Sequence, residues 1–354
     1  MGASSLRPEP FRIEPIFSPR IWGVRSLAPL FPEKSNLAEP IGEAWLTGVD
    51  CKVATGPFAG KTLGAAWREM PAEWRGTKLA SMPDFPLLVK FIFPADKLSI
   101  QVHPDDAYAS VHEKAAGGRG KTEMWHAVSA EPSARVLVGL IPKTDEEIFL
   151  KAIETQTLED IFVHWRVQPG DTFFVPAGTP HTIGPNMVIC EVQEYSDLTY
   201  RVYDYGRVDA HHTPRELHIE KALQVIEFGR ATRGKTSRIC LPGHGSQKYL
   251  LAACPYFATE RWKDSARMES HSDSEHFDLF VILSGSGDFA WDASSAEYQT
   301  GECWLLPASL GKFALNPKEI TKVLRTYIPD LPNLRAGLEQ RGLSWQEIEN
   351  TVFD

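Results

Sequence analysis

Gly170-Asp171-Thr172-Phe173-Phe174-Val175-Pro176-Ala177-Gly178 is answered later in the chain by Gly301-Glu302-Cys303-Trp304-Leu305-Leu306-Pro307-Ala308-Ser309. Each copy reads glycine, acid, a short apolar run, Pro-Ala and a small residue. Turn-forming residues on either side of such a run mark a short strand. Its recurrence marks two related β-rich halves. Five positions beyond the proline, the first copy carries His181 and the second Lys312. One half therefore keeps a metal-competent side chain at this place and the other does not.

The surrounding sequence agrees. Further β-rich runs cover residues 87–93, 97–102, 134–141 and 187–193, then 277–283, 287–291 and 322–327. Many short strands separated by Gly and Pro predict a mainly β protein, a sandwich or barrel. Helical patterning is limited. Residues 145–154 follow Thr144, a good N-cap with Glu147 three residues on. Residues 214–228 carry Leu217, Ala222, Leu223 and Ile226 on roughly one face. Residues 334–340 and 344–349 form a short helical tail, the second part opening with Ser344-x-x-Glu347. Residues 229–245 combine Gly and basic side chains and read as a linker, dividing the chain into 1–235 and 236–354.

At 354 residues the chain has ample length to bury a core. Its net charge of −9 argues against a general nucleic-acid or acidic-membrane surface. A few Lys and Arg can still make one cleft positive for an anionic small substrate. No apolar stretch approaches the roughly 20 residues needed to cross a bilayer. The first 17 residues lack the apolar region of a signal peptide. The five cysteines are odd in number, widely spaced and never in a CxxC pair, which suits a reduced, cytoplasmic setting. Gly117-Gly118-Arg119-Gly120 matches neither a Walker motif nor a dinucleotide fingerprint.

Residues two apart on a strand share a face. Ser99, Gln101 and His103 therefore project together, and so do Lys121 and Glu123. His181 follows the turn Pro176-Ala177-Gly178-Thr179-Pro180. Two imidazoles, one carboxylate and one amide oxygen suit a borderline divalent ion, Zn²⁺ first, with positions left for substrate. Spacing alone does not join these segments, and each residue also has a structural reading. His126, out of phase with Glu123, reads as a packing residue, and His211-His212 as solvated. In the second half His271, Asp273 and Asp278 mimic a ligand spacing, but Lys312 replaces the last histidine, so no second metal is expected.

The string Pro86-Leu87-Leu88-Val89-Lys90…Leu98-Ser99-Ile100-Gln101-Val102-His103-Pro104-Asp105-Asp106 resembles the signature of type I mannose-6-phosphate isomerases, a family built from cupin β-barrels. Further blocks agree and keep the family's order: Arg20-Ile21-Trp22-Gly23, Gly42-Glu43-Ala44-Trp45, Gly120-Lys121-Thr122-Glu123-Met124-Trp125 and Pro176 to His181. The last is Ser196-Asp197-Leu198-Thr199-Tyr200-Arg201-Val202-Tyr203-Asp204, followed by Arg215-Glu216-Leu217-His218-Ile219. The resemblance covers roughly residues 11–228, with a weaker cupin-like tail to about 328.

It implies two cupin-type jelly-roll barrels with a few short helices, the first holding the metal and the second degenerate. It implies Gln101, His103, Glu123 and His181 as ligands of one Zn²⁺ per chain. It also implies Arg201 as a catalytic arginine with Lys121 and Asp197 beside it, and Ser99 and Lys90 as phosphate contacts. The short spacing from Glu123 to His181 fits the compact bacterial form.

The implied reaction interconverts mannose 6-phosphate and fructose 6-phosphate through a cis-enediol. A metal with one charged ligand is a strong Lewis acid, and a guanidinium stabilises developing oxyanion charge. Lys121 and Asp197 compete for the role of base. The alternatives are a sugar-phosphate-binding protein without turnover and an isomerase for another phosphorylated aldose.

Overall fold

The computed structural model describes residues 7–208, 212–229, 234–242 and 247–354. The first half contributes β1 (Phe11–Ile13), β2 (Ile16–Val24), β3 (Ile41–Trp45), β4 (Leu87–Ile92), β5 (Ile100–Val102) and β6 (Glu123–Ala130). Then follow β7 (Arg135–Leu140), β8 (Phe162–Arg166), β9 (Thr172–Val175), β10 (His181–Ile183), β11 (Met187–Glu194) and β12 (Tyr200–Tyr203). The second half contributes β13 (Ile239–Leu241), β14 (Gln247–Ala253), β15 (Ala258–Asp264), β16 (Met268–His271) and β17 (Asp278–Ser284). It ends with β18 (Ser286–Trp291), β19 (Ser294–Gln299), β20 (Cys303–Leu306), β21 (Lys312–Pro317) and β22 (Thr321–Tyr327).

These strands form four sheets whose neighbouring strands are antiparallel. In the first half the orders are β2-β3-β4-β11-β6-β9 and β12-β5-β10-β7-β8. In the second they are β1-β20-β17-β22-β15-β14-β13 and β16-β21-β18-β19. The run β3-β4-β11-β6-β9 corresponds strand for strand to β14-β15-β22-β17-β20, and β5-β10-β7-β8 to β16-β21-β18-β19. The two Pro-Ala strands, β9 and β20, take equivalent places in this repeat.

Each half packs its two sheets around its own core. Ile92, Trp125, Val136, Val138, Phe173 and Ile189 fill the first, and Phe280, Phe289, Trp304, Phe313, Leu315 and Val323 the second. A third core lies between the halves, where Val89, Phe91 and Val192 meet Leu251, Leu279 and Leu305. This explains why β4 is buried at every position: Leu88, Lys90 and Ile92 face inward, and Leu87, Val89 and Phe91 face the other half.

The halves also exchange edges. β1 pairs with β20. Conversely, the Phe174 N–H donates to Gly234 O at 2.8 Å, and the Thr236 N–H donates to Thr172 O at 2.8 Å. The predicted boundary at 235/236 thus lies in a segment bonded to β9.

Several elements differ from expectation. The run predicted over 97–102 pairs only over Ile100–Val102. Thr144 does not cap the next helix. Asp145 does, accepting from the Ile148 N–H at 2.9 Å. The helix expected over 214–228 covers Ile219–Val225, and Leu331–Gln340 begins earlier than predicted. The Ser344–Glu347 capping box forms as expected. Of the expected linker, residues 230–233 and 243–246 lie outside the described residues, as does His211, while residues 239–241 form β13. His212 is exposed. No described helix is long and apolar enough to cross a membrane.

Candidate metal centre and active site

Three strands set one row of side chains. His181 on β10 is directly opposite Gln101 on β5, and Gln101 is directly opposite Arg201 on β12. Laterally paired residues share a face, so imidazole, amide and guanidinium stand side by side above the inner surface of the sheet. His103 follows just beyond the end of β5. Glu123 opens β6 in the facing sheet. The loop before His181 turns at Gly178, whose φ of 80° is costly for any residue with a Cβ. The Gly178 N–H donates to His103 O at 2.9 Å, tying the two histidine-bearing segments together.

The ligand atoms of His103, Glu123 and His181 all lie within 4.8 Å of one another, and all three residues are buried. Backbone carbonyls orient both rings. His103 Nδ1 lies 2.7 Å from Leu198 O, and His181 Nδ1 lies 2.8 Å from Thr179 O. A carbonyl only accepts, so each Nδ1 carries the hydrogen and each Nε2 presents its lone pair to the centre. Histidine ligands of metals are usually fixed in this way. His181 Nε2 is 3.3 Å from Glu123 Oε1, and His103 Nε2 is 3.6 Å from Glu123 Oε2. Neither buried Glu123 oxygen has a hydrogen bond of good geometry. A buried carboxylate that faces two imidazole lone pairs, with an ammonium at one of its oxygens, fits a divalent cation. The Gln101 amide nitrogen is 3.3 Å from His181 Nε2, and rotating the amide brings its oxygen to the same point.

Burial keeps both rings neutral, as metal binding requires. It lowers the His181 pKa to about 3, with Lys121 adding to the effect and the Thr179 carbonyl opposing it. Burial also holds His103 well below the usual imidazole range, reinforced by Lys121 and His181.

A cavity of about 430 Å³ opens over this centre. Lys121 is buried on its floor, with Nζ 2.8 Å from Glu123 Oε2 and 3.0 Å from His103 Nε2. Asp197 is exposed at its mouth. Ser99 is buried beside Gln101, with Oγ 3.5 Å from Gln101 Oε1.

Lys90, expected as a phosphate contact, is engaged with carboxylates. Its Nζ lies 2.8 Å from Glu191 and 3.7 Å from Glu43. Burial opposes its charge, but Glu191 and Glu43 outweigh burial and raise its pKa. Arg20 also reaches Glu43, at 2.6 Å. Two cations and two carboxylates therefore balance on this wall.

The surplus lies on the other wall. Arg201 has no carboxylate partner among the described residues. Its Nη1 donates to Glu216 O at 3.0 Å, and its buried Nε has no partner. Burial lowers its pKa, with Arg215 adding to the effect. Arg207 and Arg215 both pair with Asp204, and Arg207 also lies 3.7 Å from Asp96, so three guanidinium groups face two carboxylates. Arg215 was not singled out by the sequence, although it stands in the last block of the resemblance. Trp125, also unpredicted, sets its ring edge-on to His181 at 5.3 Å and donates to Glu191 at 3.0 Å. His126 points to the opposite face of β6 and bonds Thr172 Oγ1 at 3.0 Å.

Residues 11–129 match the family model for the phosphomannose isomerase type I catalytic domain. The chain is 33% identical over 318 residues to mannose-6-phosphate isomerase ManA of Bacillus subtilis (strain 168), covering 87% of this chain and 96% of that protein. The chain belongs to the mannose-6-phosphate isomerase family. Its fold is similar to the crystal structure of mannose 6-phosphate isomerase from Bacillus subtilis, with a TM-score of 0.82 at 29% identity over 90% of this chain and 99% of that one. It also shares the fold of a mannose 6-phosphate isomerase solved with zinc and yttrium, with a TM-score of 0.69 at 15% identity over 90% and 99% of the two chains.

In this isomerase the second half repeats the frame of the centre with other contents. His271 pairs with Lys312 as Gln101 pairs with His181. Arg325 takes the place of Glu191, and Glu260 that of Lys90, reversing that ion pair. The Arg325 guanidinium bonds Asp278 at 3.0 and 3.1 Å. An arginine thus satisfies the acid at the place equivalent to Glu123, and among the described residues only the first half gathers a metal-competent cluster.

Proposed function

We propose that this chain interconverts mannose 6-phosphate and fructose 6-phosphate, using one Zn²⁺ held by Gln101, His103, Glu123 and His181. The observation that carries this reading is the buried Glu123 carboxylate, facing the Lys121 ammonium and two imidazoles whose Nδ1 atoms are already committed to carbonyls. When bound, the ion supplies Lewis acidity toward the sugar's carbonyl and hydroxyl oxygens. The similar isomerase solved with zinc supports the choice of metal.

The chain's own residues then divide the work. The Arg201 guanidinium stands beside Gln101 and keeps its charge free of carboxylates, ready for the oxygen that becomes negative as the C2 proton leaves. Removing that proton forms the C1–C2 double bond and places charge on O1. Protonation at O1 gives the cis-enediol, and loss of the O2 proton with protonation at C1 gives the ketose. Lys121 shares the floor with the ligands and is the better placed base, whereas Asp197 stands at the mouth. Phosphate goes to the charge-surplus wall at Arg215, with Ser99 donating. Lys90 braces the opposite wall.

The repeated strand order supports reading residues 1–235 and 236–354 as two cupin-type barrels, with the metal in the first. Four buried free cysteines and one exposed one fit a reduced, cytoplasmic setting. A coupled assay of mannose 6-phosphate conversion on chelated and zinc-restored protein tests the proposal. Activity should vanish on chelation and return with zinc, and turnover indifferent to both treatments would overturn it.

A further inference from the structure

A second cavity, of about 310 Å³, lies between the two halves. Its second-half wall is the face of β14, β15, β17 and β22 turned away from that half's own core. On this face Gln247, Lys263, Lys322 and Ser284 form one row across the four strands, and Tyr249 pairs with Arg261 in the next. Lys263 and Lys322 are directly opposite each other. Like charges in direct cross-strand register destabilise a sheet, so this pair needs a reason.

Two more cations join them. Arg261 and Arg238 both set their guanidinium groups over the Tyr249 ring, 5.2 and 4.8 Å from its centroid. Among the described residues, none of Arg238, Arg261, Lys263 and Lys322 forms an ion pair. Asp171, next in sequence to Gly170, is already taken by Lys235 at 2.7 Å. The Arg261 Nε is buried with no partner. Burial and Arg238 both lower the Arg261 pKa, the mark of a cation without compensating charge. The first half closes the cavity with His126 and Gly170. A Cβ at Gly170 would come 3.3 Å from Arg261 Nη1, so glycine keeps the approach to the guanidinium open.

We propose that this cleft binds a small phosphorylated anion carrying at least two charges, at a site separate from the metal centre and bridging the two halves. Four uncompensated cations in one cleft call for more than one negative charge. Guanidinium forks match phosphate oxygens, and the volume suits a small molecule rather than a macromolecule. The tyrosine ring holds both guanidinium groups in place before the ligand arrives.

Equilibrium dialysis of the zinc-loaded full chain against radiolabelled inorganic phosphate at low ionic strength tests this. Wild type should show two classes of site. Arg261→Gln with Lys322→Gln should weaken one class at least tenfold and leave mannose 6-phosphate turnover unchanged, whereas Arg215→Gln should weaken the other. Should the double variant fold poorly, Lys263→Gln alone serves the same comparison. Phosphate binding untouched by the cleft substitutions, whether wild type shows one class or two, overturns the proposal, whereas a single class that they weaken supports the cleft and counts against the phosphate site at Arg215.

Discussion

Asp278 stands in the second half where Glu123 stands in the first: each pairs with the last residue of its Pro-Ala strand, Leu306 and Val175 respectively. The fates of the two acids differ. Arg325 bonds both oxygens of Asp278, whereas those of Glu123 face imidazoles and the Lys121 ammonium without a well-formed hydrogen bond. Glu123→Gln keeps the volume and removes the charge. Metal affinity should fall by at least the roughly 10–100-fold that loss of a ligand's hydrogen-bond partner costs, and turnover with it, as read by metal analysis after dialysis and by the coupled assay. Full metal content and activity in this variant would exclude Glu123 as a ligand, and retained turnover would sink the proposed centre.

The mirror experiment concerns Arg325. Arg325→Met removes the guanidinium that bonds Asp278 and reaches Glu260, at 3.5 Å, leaving buried carboxylates behind. Breaking such a buried pair costs about 3–5 kcal/mol. Urea unfolding should register that loss while metal content and kcat/KM stay within twofold of wild type. Loss of metal would show that the second half shapes the centre directly.

How far the sequence reveals this is visible at particular residues. Thr172–Val175 and Cys303–Leu306 match their predicted bounds because Gly and Pro punctuate them. β15, reading Ala-Thr-Glu-Arg-Trp-Lys-Asp, shows no strand signal, because one face buries Glu260 against Arg325 and the other carries Arg261 and Lys263. β2 escapes notice because it contains Pro19 and Gly23. The metal-competent cluster was legible through family motifs, since strand period alone cannot bring β5, β6 and β10 together. The carboxylate partners of Lys90, Glu43 and Glu191, were not legible because they arrive from distant strands.

Arg201→Lys tests the oxyanion role apart from metal binding. Lysine keeps the charge but loses the planar fork and the reach of Nη1. If Arg201 stabilises charge that develops in the reaction, kcat should drop about 10²–10³-fold, with a smaller change in KM and full metal content. An equal rise in KM at unchanged kcat would make Arg201 a ground-state binding residue instead.

Gly178→Ala tests how the His181 loop is held. A Cβ there would come 2.9 Å from Val225 O, on top of the strain of a positive φ. The strain alone costs roughly 1–2 kcal/mol. Because Gly178 is bonded to His103 O, the distortion should also weaken zinc affinity, by about tenfold in a competition titration with a chromogenic chelator. Unchanged affinity alongside lowered stability would separate the loop from the centre.

His126 sets a pH dependence of its own. Burial lowers its pKa to about 3, helped by Arg261 and Lys322, whereas in the unfolded chain it titrates near 6.5. Between those values the unfolded state binds the extra proton, so stability rises with pH across this window and is lost as pH falls from about 6.5 toward 3. At pH 4 the loss from this one group is roughly 3 kcal/mol. His126→Asn, which retains a polar group near Thr172, should therefore lose about that much less than wild type between pH 7 and pH 4. Both proteins are unfolded in urea after chelation, so that metal release does not enter the difference. Parallel pH profiles for the two would show that His126 is already protonated in the folded chain.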